Sequence, residues 1–452
     1  MKRGSQTMRM RTIRGAGLVL AITQFGGLAA CTNPDEGSFN GSAPGAATDA
    51  GQHVTLTLQT LQSDKGSPAY TMEEKIVNDF MKLHPNIQIQ FDRLNTEQQK
   101  IKLKTQAASG EVADITMVNP GAQMKPYVDS GVLAPLNDIV DEELRKTFHP
   151  EVLSYYTFDE KLYALPYNLN VAGIFYNKEV FAKEGLAVPH TFEELLDTAQ
   201  KLRDKGHIPM AIGAKDRWTT SFLFMNILQR LNGRAGFLQD VLQGRRTFND
   251  PVFVQALSEL QRMIQAGMFE EGATSIDSLT ASGLFRSGRA AMYYIGTWEI
   301  PKIEISPEVR GRIGLIKFPT VAGKGDPNDM IIAPGTAYAL SAKGKHMPES
   351  KLFLKYFTMQ YPKVAMEMGA AVGLSQKVDD DFIATGYTPL QLEALSMFKD
   401  MKGREMNFDN VVIPAVTQTH LDLLQNLFVQ DMKPEEVAKE HQLSWEANMK
   451  RK

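Results

Sequence analysis

The chain of 452 residues has a single cysteine, Cys31, three tryptophans and eight histidines. A lone cysteine closes no intramolecular disulfide and builds no thiolate metal site by itself. The histidines show no paired spacing such as H-x-x-x-H, so no metal and no cofactor is expected. Adjacent tyrosines, Tyr155–Tyr156 and Tyr293–Tyr294, fall in apolar-rich segments and read as core rather than as metal ligands. G-x-S-x-G, H-E-x-x-H and G-x-x-x-x-G-K-[ST] are absent, which leaves lipase, zincin and P-loop chemistry without their local signatures. No repeat of solenoid period is present. Beyond the first 30 residues no apolar stretch is long enough to cross a membrane.

What is present begins with charge. Lys2, Arg3, Arg9, Arg11 and Arg14 occur with no acid among the first 30 residues, and an apolar run follows from about Ala16 to Phe25. This is the order of a secretory leader, and the run is too short to span a bilayer. Leu28-Ala29-Ala30-Cys31 resembles the bacterial lipobox, in which the cysteine carries a diacylglycerol and becomes the first residue after cleavage. Two acyl chains, at about 0.8 kcal/mol for each buried CH2, suffice for stable anchoring. Residues 32–52 are rich in Gly, Ala, Ser, Thr, Asn and Pro, and this composition reads as a flexible tether. Residues 1–30 are thus expected to be a lipoprotein signal peptide and 31–52 a leash.

The remainder exceeds one ordinary core and suggests two domains. Its net charge is more negative than the −3 of the whole chain once the five leader cations are removed. An acidic exported chain is a poor partner for nucleic acid. Strand and helix patterns alternate along it. HVTLTLQT and NIQIQFDRL alternate apolar and polar residues, and between them Met72, Ile76, Val77, Phe80 and Leu83 share one helical face. Asn95 or Thr96 caps the next helix, and ADITMVNP is a short buried strand. Farther on, Thr191 with Glu194 forms a capping box, and MIIAPGTAYALSA is strand-like. Such β-α-β order predicts an α/β fold of mainly parallel sheets flanked by helices, with a ligand cleft where two such sheets face each other.

Four stretches in order, ADITMVNPGAQMKPYVDSGVLAPLND, KLYALPYNLNVAGIFYNKEVFAKEGL, FRSGRAAMYYIGTWEI and APGTAYALSAKGKHMPESKLFLKYF, resemble family 1 of the extracellular solute-binding proteins of bacterial ABC importers. The resemblance covers roughly residues 52–450. It implies two lobes closing on a carbohydrate, with residues 53–168 plus 333–377 in lobe 1 and 169–332 plus 378–452 in lobe 2. It also implies ABC permease subunits as partners, a separate cytoplasmic ATPase acting indirectly, a monomer, and a location on the outer face of the cytoplasmic membrane through Cys31.

The resemblance places Trp298 where the family stacks an aromatic ring on a pyranose, whose C–H face is apolar. Trp218 lies beyond a strand end beside Asp216 and Arg217, which offer partners for hydroxyls. Asn168 and Asn170 occupy the crossing between lobes, and an amide matches a hydroxyl because each both donates and accepts. Asp64 and Lys65 stand in an SDKG stretch like one that bonds sugar in the family. Asn119 follows the third strand, and Gly335 with Thr336 would let the backbone approach a ligand. Trp445 reads as a packing residue. The alternative is a lipid-anchored secreted glycoside hydrolase, which needs only two carboxylates at a set separation.

The lipobox reading generates one prediction. Cys31→Ala should move the protein from the membrane fraction into the medium or periplasm, as followed by fractionation and immunoblotting. Unchanged membrane association rejects it.

Overall fold

The computed structural model describes residues 53–449. The leader and the whole tether, Cys31 included, lie outside the described residues. Among the described residues no helix is long and apolar enough to cross a membrane.

Strands β1 (Val54–Thr60), β2 (Ile87–Arg93), β3 (Ile115–Val118) and β4 (Ala164–Pro166) come first. They are followed by β5 (Leu169–Asn177), β6 (Ile208–Ala211), β7 (Ala290–Gly296), β8 (Ile313–Ile316) and β9 (Met330–Pro334). β10 (Ala337–Leu340) and β11 (Arg404–Met406) complete the two main sheets. The first sheet has the order β2-β1-β3-β10-β4 and the second β11-β9-β5-β7-β6, with β8 also on β5.

Local sequence explains the elements. The alternation in β1 buries Val54, Leu56 and Leu58. Helix α1 (Pro68–Leu83) opens with Ser67 accepting from the Tyr70 N–H and with a proline in its first turn. Helix α2 (Thr96–Ser109) has a reciprocal Asn95–Gln98 capping box and ends at left-handed Gly110. Helix α3 (Phe192–Asp204) carries the expected Thr191–Glu194 box. The remaining helices that matter for the site are α4 (Trp218–Asn232), α5 (Met347–Glu367), α6 (Phe408–Val411), α7 (Pro414–Asn426) and α8 (Pro434–Met449).

The helix-flanked α/β architecture is as expected, but both sheets are mixed rather than mainly parallel. Strands joined through helices pair in parallel, as β1 does with β2 and β3, and β6 with β7. Strands that arrive from the other sheet do not: β5 is antiparallel to β7, β8 and β9, and β10 to β3 and β4. Parallel pairing needs a long crossover, and a strand delivered from a different sheet is free of that constraint. The strand-like run MIIAPGTAYALSA is in fact two strands in two sheets, β9 and β10, separated by Gly335 and Thr336.

Each sheet has its own core. The first core joins β1–β4 and β10 to α1 and α5. The second sheet is covered on both faces, and the adjacent tyrosines divide between them, Tyr294 entering one cluster and Tyr293 the other. The sequence reading moves the chain into lobe 2 at 378. Instead the Lys377 N–H bonds to Thr147 O, and Val378, Phe382 and Tyr387 pack on the first core. Leu390 is the next residue to enter the second core. Trp445 packs edge-on against Phe248.

A buried polar chain runs through the second core. His441 Nδ1 lies 2.7 Å from Val437 O, so it carries the proton there, and His441 Nε2 accepts from His420 Nδ1 at 2.9 Å. His420 Nε2 in turn lies 3.0 Å from Ser221 Oγ, and Phe408 stacks on the His420 ring. Both imidazoles are fully buried. Desolvation pushes His441 down to about 4 and His420 well below its ordinary value. In the unfolded chain both take up protons near pH 6.5. Stability should therefore fall as pH drops from about 6.5 toward about 4, because the unfolded state binds protons that the folded state refuses. Urea-unfolding midpoints of wild type and His420→Gln/His441→Gln across that window should converge at the acid end. Parallel pH profiles would remove the pair as a source of acid sensitivity.

Candidate functional site

Two segments cross between the sheets side by side, and residues 373–375 run against them. The Gly335 N–H donates to Asn168 O at 3.1 Å, the Leu169 N–H to Gly373 O at 2.7 Å, and the Ser375 N–H to Tyr167 O at 3.2 Å. Asn168 bridges to Leu374 in antiparallel fashion. The candidate site is built outward from this crossing.

β7 ends at Gly296, and the chain turns through Thr297–Glu299. A Cβ on Gly296 would lie 1.9 Å from the Trp298 ring, so only glycine lets that ring fold back. Trp298 stacks on Phe222, with centroids 5.7 Å apart and planes at 29°, and it meets Trp218 at 6.1 Å. Trp218 and Phe222 are four residues apart on α4 and therefore share a face. Thr297 Oγ1 donates to Asn170 Oδ1 at 3.0 Å. Asn170 is 2% exposed and thereby braces the Trp298 turn against the crossing strand.

Two polar atoms here have no hydrogen-bond partner although they are buried: Trp218 Nε1 and Asn168 Oδ1. Leaving a buried donor or acceptor unmade costs about 1–3 kcal/mol, so each is poised for a partner the chain does not supply. Trp218 follows Arg217, whose backbone sits at φ 59°, ψ −46°, a sparsely populated region. The Arg217 guanidinium pairs with Asp422. Asp216 Oδ2 accepts from the Ser278 N–H at 2.9 Å, so this carboxylate is engaged within its own lobe.

The remaining sequence-derived residues are more scattered. Asp64 is half-buried, and its Oδ1 accepts from the Gly66 N–H. Lys65 is exposed, and no hydrogen bond or ion pair among the described residues ties it or Asp64 to the aromatic trio. Gln62, from the same loop and not singled out by sequence, reaches the crossing: its Nε2 lies 3.3 Å from the Tyr167 hydroxyl, which is 2.9 Å from Thr336 Oγ1. Arg93 holds that loop by donating to Gln62 O at 2.6 Å while its guanidinium pairs with buried Glu73. Burial raises the Tyr167 phenol to about 12. Asn119 is half-buried at the end of β3, where the following loop meets α6 of the other lobe. Asn410 Nδ2 donates to Pro120 O at 3.3 Å, and a Cβ on Gly121 would lie 2.2 Å from Asn410 O.

Phe222 had an available signal, its helical spacing from Trp218. A cavity of about 220 Å3 opens between the lobes, lined by Pro68, Pro301, Glu304, Ile305 and Met368 among others. Pro301 follows Trp298 by three residues, and Pro68 closes the Asp64 loop. A larger open depression of about 440 Å3 lies on the first lobe beside α2. Two of its three carboxylates are already paired, Asp92 with Lys102 and Asp114 with the Thr57 N–H.

The Ser221–His420 contact has the geometry of a nucleophile and base, but both residues are fully buried under Phe408. The site's chemistry is thus that of recognition: an aromatic platform, a free indole donor and a free amide acceptor between two α/β lobes. This is the form of a two-lobed periplasmic solute receptor. Residues 63–359 match the family model described as bacterial extracellular solute-binding protein, and the chain belongs to that family. It is 26% identical over 293 residues to the multiple sugar-binding protein of Streptococcus mutans, a match spanning 63% of this chain and 67% of that one. Matches to other curated relatives span 52% and 58% of their lengths. A solved structure from work on xylan utilization by Caldanaerobius polysaccharolyticus superposes with a TM-score of 0.80 at 28% identity, covering 86% of this chain and 99% of the other. A chitin oligosaccharide binding protein shares the fold at a TM-score of 0.78 and 24% identity, covering 88% and 100%.

The crossing itself is testable. A Cβ on Gly335 would fall 1.3 Å from Asn168 Oδ1, and the φ of Gly335 is ordinary, so the penalty is steric. Gly335→Ala should destabilise the fold by about 1–3 kcal/mol, measured by urea unfolding. An unchanged midpoint would mean that the Asn168 side chain turns aside freely.

Proposed function

We propose that the protein is the lipid-anchored substrate-binding component of an ABC importer. It captures a sugar or oligosaccharide between its lobes and delivers it to a membrane permease served by a separate ATPase. The observation that carries this reading is the Trp218–Phe222–Trp298 cluster flanked by two buried, unpartnered polar atoms at the lobe crossing. A pyranose has an apolar C–H face for the rings and hydroxyls that both accept from an indole N–H and donate to an amide oxygen. The sugar-binding names of its relatives point the same way.

In this reading Asn168, Trp218 and Trp298 contact the ligand directly, and Gly335 keeps room for Asn168. Asn170 and Asp216 hold the walls in place. Asp64, Lys65 and Asn119 belong to loops that face the ligand as the lobes approach. The lobes swing about the crossing segments, and Cys31 tethers the receptor to the outer face of the membrane as a monomer. The hydrolase alternative needs two free carboxylates facing across a substrate. Glu299, next to Trp298, is instead engaged by Ser282, Arg286 and Lys302.

The test is a thermal-shift titration of the full-length protein in mild detergent against galactose, raffinose, maltotriose, xylotriose and chitotriose. A ligand at 100 times its dissociation constant should add about 2.7 kcal/mol of stability. One sugar class should give a saturable shift with no product by chromatography. Trp298→Ala should abolish or greatly weaken that shift while leaving the unliganded unfolding midpoint within a few degrees of wild type. Product formation would favour the hydrolase, and undiminished binding by the variant would remove Trp298 from the site.

A further inference from the structure

Seven carboxylates are buried in the described structure: Glu73, Asp240, Glu259, Glu270, Glu299, Glu405 and Asp409. The first six are each supplied with partners. Glu73 accepts from Thr60, Arg93 and Tyr338, Asp240 pairs with Arg234 and Arg245, and Glu259 with Arg262. Glu270 takes the Ile212 and Gly213 N–H groups, Glu405 takes those of Gly236 and Leu238, and Glu299 is held as described above. Asp409 is the exception. It is 7% exposed, and its Oδ1 is buried with no hydrogen-bond partner.

Its position explains what the oxygen is for. Asp409 lies on α6 between two residues that connect to the site. On one side Asn407 Oδ1 lies 3.1 Å from Ser221 Oγ, and Ser221 is three residues along α4 from Trp218. On the other side Asn410 donates to Pro120 O in the loop that follows Asn119. Across the seam, Lys100 and Glu97 of α2 are the charged groups that act on the carboxyl, with opposite signs, and Lys100 is itself paired with Glu97 at 3.1 Å. Burial raises the carboxyl above its ordinary range. A buried carboxylate oxygen without a partner is costly, and natural cores rarely leave one without a reason. This one is placed on the short helix whose Asn410 meets the other lobe.

We propose that Asp409 is a ligand-binding residue whose carboxylate accepts a hydrogen bond from a hydroxyl of the polyhydroxylated solute held between the lobes. The inference rests on the sugar reading above and extends it: the site reaches from the tryptophan platform to the seam between α6 and the Asn119 loop. No signal in the sequence distinguishes Asp409 from a surface acid in NFDNVV.

The test pairs affinity with stability. Full-length wild type, Asp409→Ala and Asp409→Asn in mild detergent are titrated calorimetrically with the sugar from the panel above that stabilises wild type most. Each is also melted without sugar. Asp409→Ala should bind about 10-fold or more weakly, the scale of a lost hydrogen bond to a charged group, while its unliganded midpoint is unchanged or higher, since an unpaired carboxylate is gone. Asp409→Asn, which keeps an acceptor oxygen, should fall between. Binding as tight as or tighter than wild type in Asp409→Ala would overturn the proposal and make Asp409 a brake on lobe closure. A lowered unliganded midpoint would overturn it in favour of a structural role. If wild type binds none of the panel, the sugar reading itself falls, and this inference with it.

Discussion

The two crossing segments, with residues 373–375 bonded against them, are the constraint on which the site depends. They bond to one another through the Gly335–Asn168 and Leu169–Gly373 backbone contacts. Part of the site is referenced to them within a few residues. Asn168 lies on the first crossing, Asn170 two residues on supports the Trp298 turn through Thr297, and Thr336 on the second crossing meets Tyr167. Because β5 and β10 enter their sheets antiparallel to the resident strands, the crossing is short and needs no helix. Small rotations there become large displacements at the lobe tips.

The two lobes are built to resist such motion internally. In the first, Glu73 gathers Thr60, Tyr338 and Arg93 around one buried carboxylate, and Arg93 passes the constraint to the Gln62 loop. In the second, Arg230 is 1% exposed and donates to the carbonyls of Phe318, Pro327 and Asp329. These groups are satisfied by the chain itself, which is what makes a buried charge tolerable. Satisfied networks hold one geometry, so each lobe acts as a rigid carrier of its half of the site.

Which features were legible in the sequence follows from the range of the forces that make them. Local rules worked. The alternation in β1 and the Asn95 and Thr191 caps all depend on residues within four positions of one another. Trp298 was legible because it follows a strand and stands in a recognisable stretch. Asn170 shows the limit: its identity suggested recognition, but its partner Thr297 is 127 positions away, and the pairing makes it a brace. Asp216 is similar: the Ser278 N–H that its Oδ2 accepts lies 62 positions on. The split of MIIAPGTAYALSA between two sheets was likewise hidden, since nothing local in Gly335–Thr336 says that the chain changes lobe there. Gln62 enters the site only through its tertiary neighbours, whereas Phe222 is signalled by its helical spacing from Trp218.

The contrast between satisfied lobes and unsatisfied junction bears on how binding couples to lobe movement. A ligand shifts a conformational equilibrium only by its differential affinity for the two states. Buried atoms without partners, such as Trp218 Nε1 and Asn168 Oδ1, each cost about 1–3 kcal/mol when the lobes meet without a ligand, because water is excluded and nothing replaces it. In an open form, water satisfies them. In the sugar-receptor reading proposed above, a hydroxylated ligand between the lobes would pair the same atoms, removing a penalty specific to the closed form in addition to making its own contacts. Two such atoms together amount to a few kcal/mol, and moving an equilibrium from 1:99 to 99:1 takes about 5.5 kcal/mol. Unmet hydrogen bonds at the seam therefore account for a substantial part of the bias required. In that reading the aromatic platform supplies area and affinity in either form, and the orphaned polar atoms make that affinity conditional on closure.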